Sequence, residues 1–566
     1  MKRLPIGISN YEKLIEDGYI YVDKTMYIEK LENFPNPTVM FLRPRKFGKT
    51  LFTSTLESYY DILKKDKFET LFRENYIGKN PTPNKNKYYV LKFNFSGVDT
   101  NTEESTINGF KNEVVSSVNL FAQRYGLDFY INNNDAAEVI LNNLFNAFYF
   151  QKPNEKIFVI IDEYDHFANE LLGFQKDRFK ELVSRNGKVR KWYEILKKGT
   201  ETIVERIFIT GVAPITLDSL TSGFNIATDI SRDVEFNDMM GFTHNELVDL
   251  MNSQEISEET KNNILPIMKQ NYDGYKFNKN AEDHIYNSNM CLYFLSNYVR
   301  LGRMPDSLID VNIASDYAKL SGMLKICETE GKVRIIEDTI SGKGIISEIT
   351  DKFNPEVGFG DTELISMLFY MGYLTIKGDM LGLNELQIPN MVMKELYAEY
   401  FLNEVKKETN LGINVTENAE IIKGLAYEGK IEKMIDKLHQ YLNNLSNRDF
   451  KKFDEKYVKI LFYSIAMNFK ATYSVKSEFE VNREFPDLLL IPRDRTKGYY
   501  SIMIEFKYIK KENYTENYFK EKQEEAIEQI ESYGELDDIK DLENLRKYAV
   551  VAVVDEIYVE EIKTWY

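Results

Sequence analysis

The sequence predicts an α/β chain of several domains, with a largely parallel sheet near the N-terminus, a more helical middle and a C-terminal region in the order αβββαβ. Three observations carry this. Strand candidates at 39–42, 88–95, 157–161 and 206–209 are separated by stretches long enough for crossover helices, the pattern of a parallel sheet. The first run enters a short basic turn that ends in Gly48, Lys49 and Thr50. Beyond residue 447, three strand patterns sit between helical ones, and carboxylates fall at 487 and 505 within them.

The run at 39–42 reads as a buried strand, and Gly48-Lys49-Thr50 opens a helix. This is the layout of a phosphate-binding loop: unpaired N–H groups at the helix start face phosphate oxygens, Lys49 reaches the β- and γ-phosphates of ATP, and the Thr50 hydroxyl holds Mg²⁺. Arg45, Lys46, Phe47 and Gly48 form the nucleotide-binding turn with them. The pattern GxxxxGK[ST] wants glycine at 43, where this chain has Arg43, so an ordinary strand-to-helix turn is the competing reading. The run at 157–161 is apolar throughout, as in a strand buried on both faces, and ends in Asp162-Glu163-Tyr164-Asp165. Asp162 suits a carboxylate that steadies Mg²⁺, and Glu163 a catalytic acid that polarises the attacking water. A solvated acidic turn is the alternative.

Tyr21-Val-Asp-Lys-Thr25, Arg43-Pro-Arg-Lys-Phe-Gly-Lys-Thr50, Ile161-Asp-Glu-Tyr-Asp165 and Phe208-Ile-Thr-Gly211 closely resemble the prokaryotic AAA-ATPase-like family. The resemblance implies an N-terminal P-loop AAA-type ATPase domain that uses ATP and Mg²⁺, often joined to a C-terminal PD-(D/E)XK nuclease-like domain. The absent first glycine is a habit of that family, although the bulk of Arg43 is expected to change how closely the backbone wraps the phosphates. Thr210, the polar tip of the strand at 206–212, corresponds to a γ-phosphate sensor.

At 566 residues the chain can hold three or four domains, each with its own core. Hydrophobic content of 43% and aromatic content of 13% exclude a disordered chain. Cys291 and Cys327 stand alone, and the histidines at 166, 244, 284 and 439 are scattered, so neither a disulfide framework nor a zinc site is expected. The opening residues lack the apolar core of a signal peptide and no run is long enough to span a membrane, so a cytoplasmic location without membrane association is expected. A net charge of −17 means that any nucleic-acid site must be a local basic patch, with 185–198 and Lys507, Lys510, Lys511 as the stretches to consider.

The organisation expected is an ATPase core at 1–225, a helical lid-like region at 226–310, a winged-helix-like region at 311–402, a linker and helices at 403–446, and the nuclease-like domain at 447–566. In the third, a helix at 362–370 precedes strands at 372–376 and 385–388 joined by a turn at 377–379, with another helix from Pro389. The stretch 406–417 reads as the linker. The segment Asn271-Tyr-Asp-Gly-Tyr-Lys-Phe277 also resembles the family and is assigned a turn, with no chemistry.

In the last region the strands at 487–491 and 499–506 pair across the turn 493–498. Period two puts Glu505 and Lys507 on one face and Phe506 on the other, and Asp487 then meets Glu505 around one metal. Mg²⁺ prefers oxygen ligands; Asp487, Glu505 and the Phe506 carbonyl supply them, and Lys507 supports developing charge on the phosphate. Gln529 and Tyr533 share a helix face, a QxxxY pattern that resembles recombination and repair exonucleases, and Glu478 precedes Asp487 as an acid does in that family. Two readings follow. One is an ATPase whose nucleotide state controls a Mg²⁺-dependent nuclease acting on nucleic acid, DNA before RNA, with a homo-oligomer possible. The other is a nucleotide-switched interaction protein with a silent nuclease-like domain.

Overall fold

The computed structural model describes residues 2–166, 188–214, 224–305, 307–309, 320–322, 324, 331–351, 353, 360–446, 454–477, 485–533 and 539–562. Its contacts divide the chain into two compact units, one of Met1–Lys332 with Ile346–Met391 and one of Val333–Ile345 with Val392–Tyr566.

The first unit is built on five parallel strands, β1 (Thr38–Leu42), β2 (Tyr89–Asn94), β3 (Ile157–Asp162), β4 (Val204–Gly211) and β5 (Thr228–Asp229), in the order β2-β3-β4-β1-β5. β1 and β3 are buried at every position, which is why both read as unbroken apolar runs. Helix α1 (Lys49–Tyr60) leaves β1 through the basic turn, while α2 (Glu103–Arg124), α3 (Ala137–Gln151) and α4 (Lys188–Gly199) complete the crossovers. Because β4 lies between β1 and β3, in register Phe41 with Thr210 and Ile161 with Ile209, the carboxyl ends of the three strands open side by side. Ligands of open α/β sheets bind at such an edge.

Three helices, His244–Ser253, Glu258–Tyr272 and Ser288–Leu301, follow β5. Helix α5 (Asp361–Tyr370), the short strand β6 (Ile345–Ser347) and the hairpin of β7 (Thr375–Met380) and β8 (Leu383–Gln387) give the helix-and-hairpin outline, and α6 (Met391–Thr409) follows. The hairpin turn lies at Leu381 and Gly382, both at positive φ, and not at 377–379. Two successive left-handed residues suit the twist of a two-residue hairpin, and Gly378 instead sits beside a register shift. Within the stretch expected as a linker, α6 runs to Thr409 and the next helix starts at Val415, capped by Asn414 and Glu417, which leaves residues 410–414 as the connection.

The second unit ends in α7 (Glu455–Ala466), β9 (Tyr473–Lys476), β10 (Leu488–Pro492), β11 (Ser501–Ile509), α8 (Glu516–Ser532), β12 (Leu545–Val553) and β13 (Glu556–Ile562). The sheet order is β13-β12-β11-β10-β9, with β11 and β12 parallel and the other pairs antiparallel. β13 was not anticipated because, as a largely exposed edge strand, it carries no apolar run. Leu489, Ile491, Met503 and Ala549 pack with Ala526 and Ile530 of α8 on one face, and Phe506 meets Phe462 of α7 on the other.

Candidate functional sites

The basic turn of the first unit is shaped by two left-handed residues, Lys46 at φ 67° and Gly48 at φ 96°. Its position is fixed from outside. Gly241 N–H donates to the Phe47 carbonyl at 3.1 Å, and the Lys46 carbonyl accepts from Asn289 N–H at 3.3 Å and the Ser288 hydroxyl at 3.2 Å. The Phe47 ring is buried edge-on against Tyr275 and Phe277. The 271–277 segment, assigned no chemistry from its sequence, therefore seats the turn.

Arg43 does not crowd the loop. Its guanidinium turns into the core, donates to the carbonyls of Leu42, Ser231, Phe236 and Asn237 at 2.7–3.1 Å, and lies between the Phe41 and Phe277 rings. Burial lowers its pKa, against the pull of Asp229 and Asp238. These acceptors hold the Arg43 side chain in the core, outside the lining of the cavity that opens over the turn.

Lys49 is buried, donates to the Arg43 and Pro44 carbonyls at 3.1 and 3.2 Å, and lies 3.8 Å from Glu163 Oε1. Glu163 itself has φ 53°, a strained conformation for a non-glycine residue. Asp162 is fully buried, with Thr53 Oγ1 at 3.5 Å from its Oδ2, while its Oδ1 has no hydrogen-bond partner among the described residues. Burial raises its pKa, with Glu163 adding to the effect and Lys92, Lys49 and Thr50 opposing it. A buried acidic oxygen without a donor, beside the Thr50 hydroxyl, is the donor set a hard dication and its water shell need, so these residues fit Mg²⁺.

A cavity of about 550 Å³ opens over the turn. Arg45, Lys46, Phe47, Gly48, Lys49, Thr50 and Glu163 line one part, and Ile8, Val22, Met240, Phe242 and Leu292 make an apolar part. Thr210 does not line it; its hydroxyl is donated to the Phe41 carbonyl at 2.8 Å. Asp165, the last acid of the turn, is buried and accepts from Val212 and Ala213 N–H, so it fixes the end of β4. Among the lining residues that no motif had singled out for the site are Asn94, at the end of β2, Ser96, in the turn after it, and His166, just past the acidic turn. Lys24 also lines the cavity, holding Glu246 at 2.6 Å and the Asp238 carbonyl at 2.8 Å.

In the second unit, β10 and β11 bring Asp487, Glu505 and Lys507 together. Asp487 Oδ2 accepts from Phe506 N–H at 2.7 Å, and Glu505 Oε2 lies 3.4 Å from both Asp487 N and the Tyr533 hydroxyl. Lys507 Nζ is 3.3 Å from Glu505 Oε1, 2.5 Å from Gln529 Oε1 and 3.3 Å from Glu525 Oε1. Burial raises the pKa of Glu505, opposed by Lys507 and Lys459. Lys507 thus points into this cluster and belongs to no surface patch with Lys510 and Lys511, which are exposed. In the other basic stretch, Arg190 pairs with Glu194 at 3.2 Å, and residues 185–187 lie outside the described residues.

Lys459 of α7, absent from the sequence reading, lies 2.6 Å from Asp487 Oδ1. It comes from a helix some thirty residues earlier, with no motif to mark it. Glu478 lies outside the described residues, as does Cys327, whereas Cys291 is a buried free thiol. Among the described residues no three His, Cys, Asp or Glu side chains converge on one point. Two buried carboxylates with all-oxygen donors still fit Mg²⁺, which keeps several waters and takes one or two protein carboxylates.

The fold and both clusters define an ATPase-like protein with a nuclease-type domain. Residues 5–221 match the family described as a predicted AAA-ATPase, and residues 453–562 match the PD-(D/E)XK nuclease superfamily, the pairing that the resemblance implied. An uncharacterized protein in the vnfD 5′ region of Azotobacter chroococcum mcd 1 is 26% identical over 382 residues, 66% of this chain and 64% of that protein. The chain therefore spans less than two thirds of that relative's length. No helix among the described residues is long and apolar enough to cross a membrane.

Proposed function

We propose that the chain binds and hydrolyses ATP in its first unit, and that the nucleotide state controls Mg²⁺-dependent cleavage of nucleic acid, DNA in the first instance, by its second. The observation that carries the ATPase half is Lys49 3.8 Å from Glu163 in the wall of one cavity, with the buried, partnerless oxygen of Asp162 on the residue before Glu163. Lys49 would exchange the loop carbonyls for phosphate oxygens, Thr50 and Asp162 would hold Mg²⁺, which when bound offsets phosphate charge, and Glu163 would orient and polarise the attacking water. The apolar part of the cavity takes the base. Thr210 can act on the γ-phosphate only after releasing the Phe41 carbonyl.

For the nuclease half, Asp487, Glu505 and the Phe506 carbonyl would hold the ion, which when bound lowers the pKa of water and stabilises the leaving oxygen. Lys507 acts on charge that develops at the phosphate, while Gln529 and Tyr533 hold Lys507 and Glu505 in place. The pairing of Lys459 with Asp487 favours a second reading, in which a lysine permanently replaces the metal and the domain serves as an interaction module. Incubating the full chain with linear and circular DNA, with and without Mg²⁺ and ATP, separates the two. Mg²⁺-dependent cleavage that Asp487→Ala abolishes supports the nuclease; no cleavage under any condition supports the interaction module.

A further inference from the structure

Asp487 and Glu505 have side chains only 3% exposed, and each carries an ammonium: Lys459 at 2.6 Å from Asp487 Oδ1, and Lys507 at 3.3 Å from Glu505 Oε1. Lys459 thus stands on an Asp487 oxygen that a divalent ion would need, while the other acids these lysines touch, Glu455 and Glu525, are 40% exposed. An ion entering between the two buried carboxylates meets an ammonium at close range in a low-dielectric site, so the cation on the oxygen it takes must withdraw. Lys507 is held by Glu505, Gln529 and Glu525, all around its own strand and α8.

Lys459 is differently placed. One turn back on α7 stands Glu455, 40% exposed, with Oε1 3.2 Å from Lys459 Nζ. The ammonium thus already touches an acceptor at the surface as well as the one in the site, and its flexible four-carbon stem reaches both.

We infer that Lys459 is a resident counter-ion of the metal site, which a divalent cation displaces from Asp487 toward Glu455. The inference rests on the metal-binding reading of Asp487 and Glu505. In the metal-free protein Lys459 neutralises Asp487 and keeps the carboxylate in place; on metal entry it gives up that oxygen and remains paired at the surface. The sequence carries the exchange within one helix turn, so no larger rearrangement is required.

The test is calorimetric titration of the full-length protein with Mn²⁺, together with thermal melting in chelator and in excess Mn²⁺. Lys459→Gln removes the competitor, so its Mn²⁺ affinity should rise roughly tenfold or more, since a charge this close to a carboxylate shifts its equilibria by one unit or more. It should also melt lower than wild type in chelator and gain more on Mn²⁺ addition. Glu455→Gln, a change at an exposed position, takes away the outer acceptor and should weaken Mn²⁺ binding severalfold, which keeps the question answerable should Lys459→Gln not fold. If wild type binds Mn²⁺ and both variants bind it equally well, Lys459 is no counter-ion, although the metal site stands. If folded wild type and folded variants all fail to bind Mn²⁺, the metal site and the counter-ion fall together.

Discussion

Arg43 occupies the place of a glycine because the chain uses it as a core pin. Four carbonyls and two ring faces receive the guanidinium, so Arg43→Ala leaves several buried acceptors without donors. Each such acceptor costs about 1–3 kcal/mol, and urea unfolding should report a loss on the order of 3 kcal/mol or more. A loss under about 1 kcal/mol would mean that water replaces the guanidinium freely. In the proposed ATPase, Lys49 and Glu163 act at different stages. Lys49→Ala should abolish ATP binding in a fluorescent-nucleotide titration, whereas Glu163→Gln should bind ATP as wild type does and release no phosphate. Equal ATP affinity for wild type and Lys49→Ala would remove the lysine from the phosphate site. In the second unit, Lys507→Ala should retain Mn²⁺ binding and lose about 10² to 10³ in cleavage rate, since in the proposed nuclease the ammonium acts on charge formed during the reaction.

At the scale of elements, the close fit between the turn after β3 and the end of β4 sets how Glu163 is presented. A Cβ on Gly211 would fall 2.1 Å from Asp165 Oδ1 and 2.5 Å from the Tyr164 ring. Gly211→Ala should therefore displace the Tyr164–Asp165 turn, lowering both the melting temperature and the rate of ATP hydrolysis; a variant with wild-type turnover would show that the turn does not position Glu163. β1, β3 and the turn into α1 were legible because fully buried parallel strands are unbroken apolar runs, and because Gly48, Lys49 and Thr50 are contiguous in the sequence. Asp487, Glu505 and Lys507 were legible through strand periodicity. The inward course of Arg43, the Phe41 carbonyl as the partner of Thr210 and the approach of Lys459 were not. Each depends on a contact made across the fold, and no local pattern encodes it. The hairpin turn at Leu381 and Gly382 was missed for a local reason, since leucine gives no turn signal and Lys377-Gly378-Asp379 gives a strong one.

At the scale of the whole molecule, the proposed function has nucleotide state in the first unit govern cleavage by the second. A chain with a net charge of −17 gains little from general attraction to phosphates, so nucleic acid would have to be held at a specific site. The most direct measurement is the rate of Mg²⁺-dependent DNA cleavage by wild type, Lys49→Ala and Asp487→Ala, each with and without ATP. Wild type should cut at a rate that changes when ATP is added, Lys49→Ala should cut at one rate whether or not ATP is present, and Asp487→Ala should not cut. Cleavage by wild type that is indifferent to ATP, or cleavage by Asp487→Ala at the wild-type rate, would contradict the account.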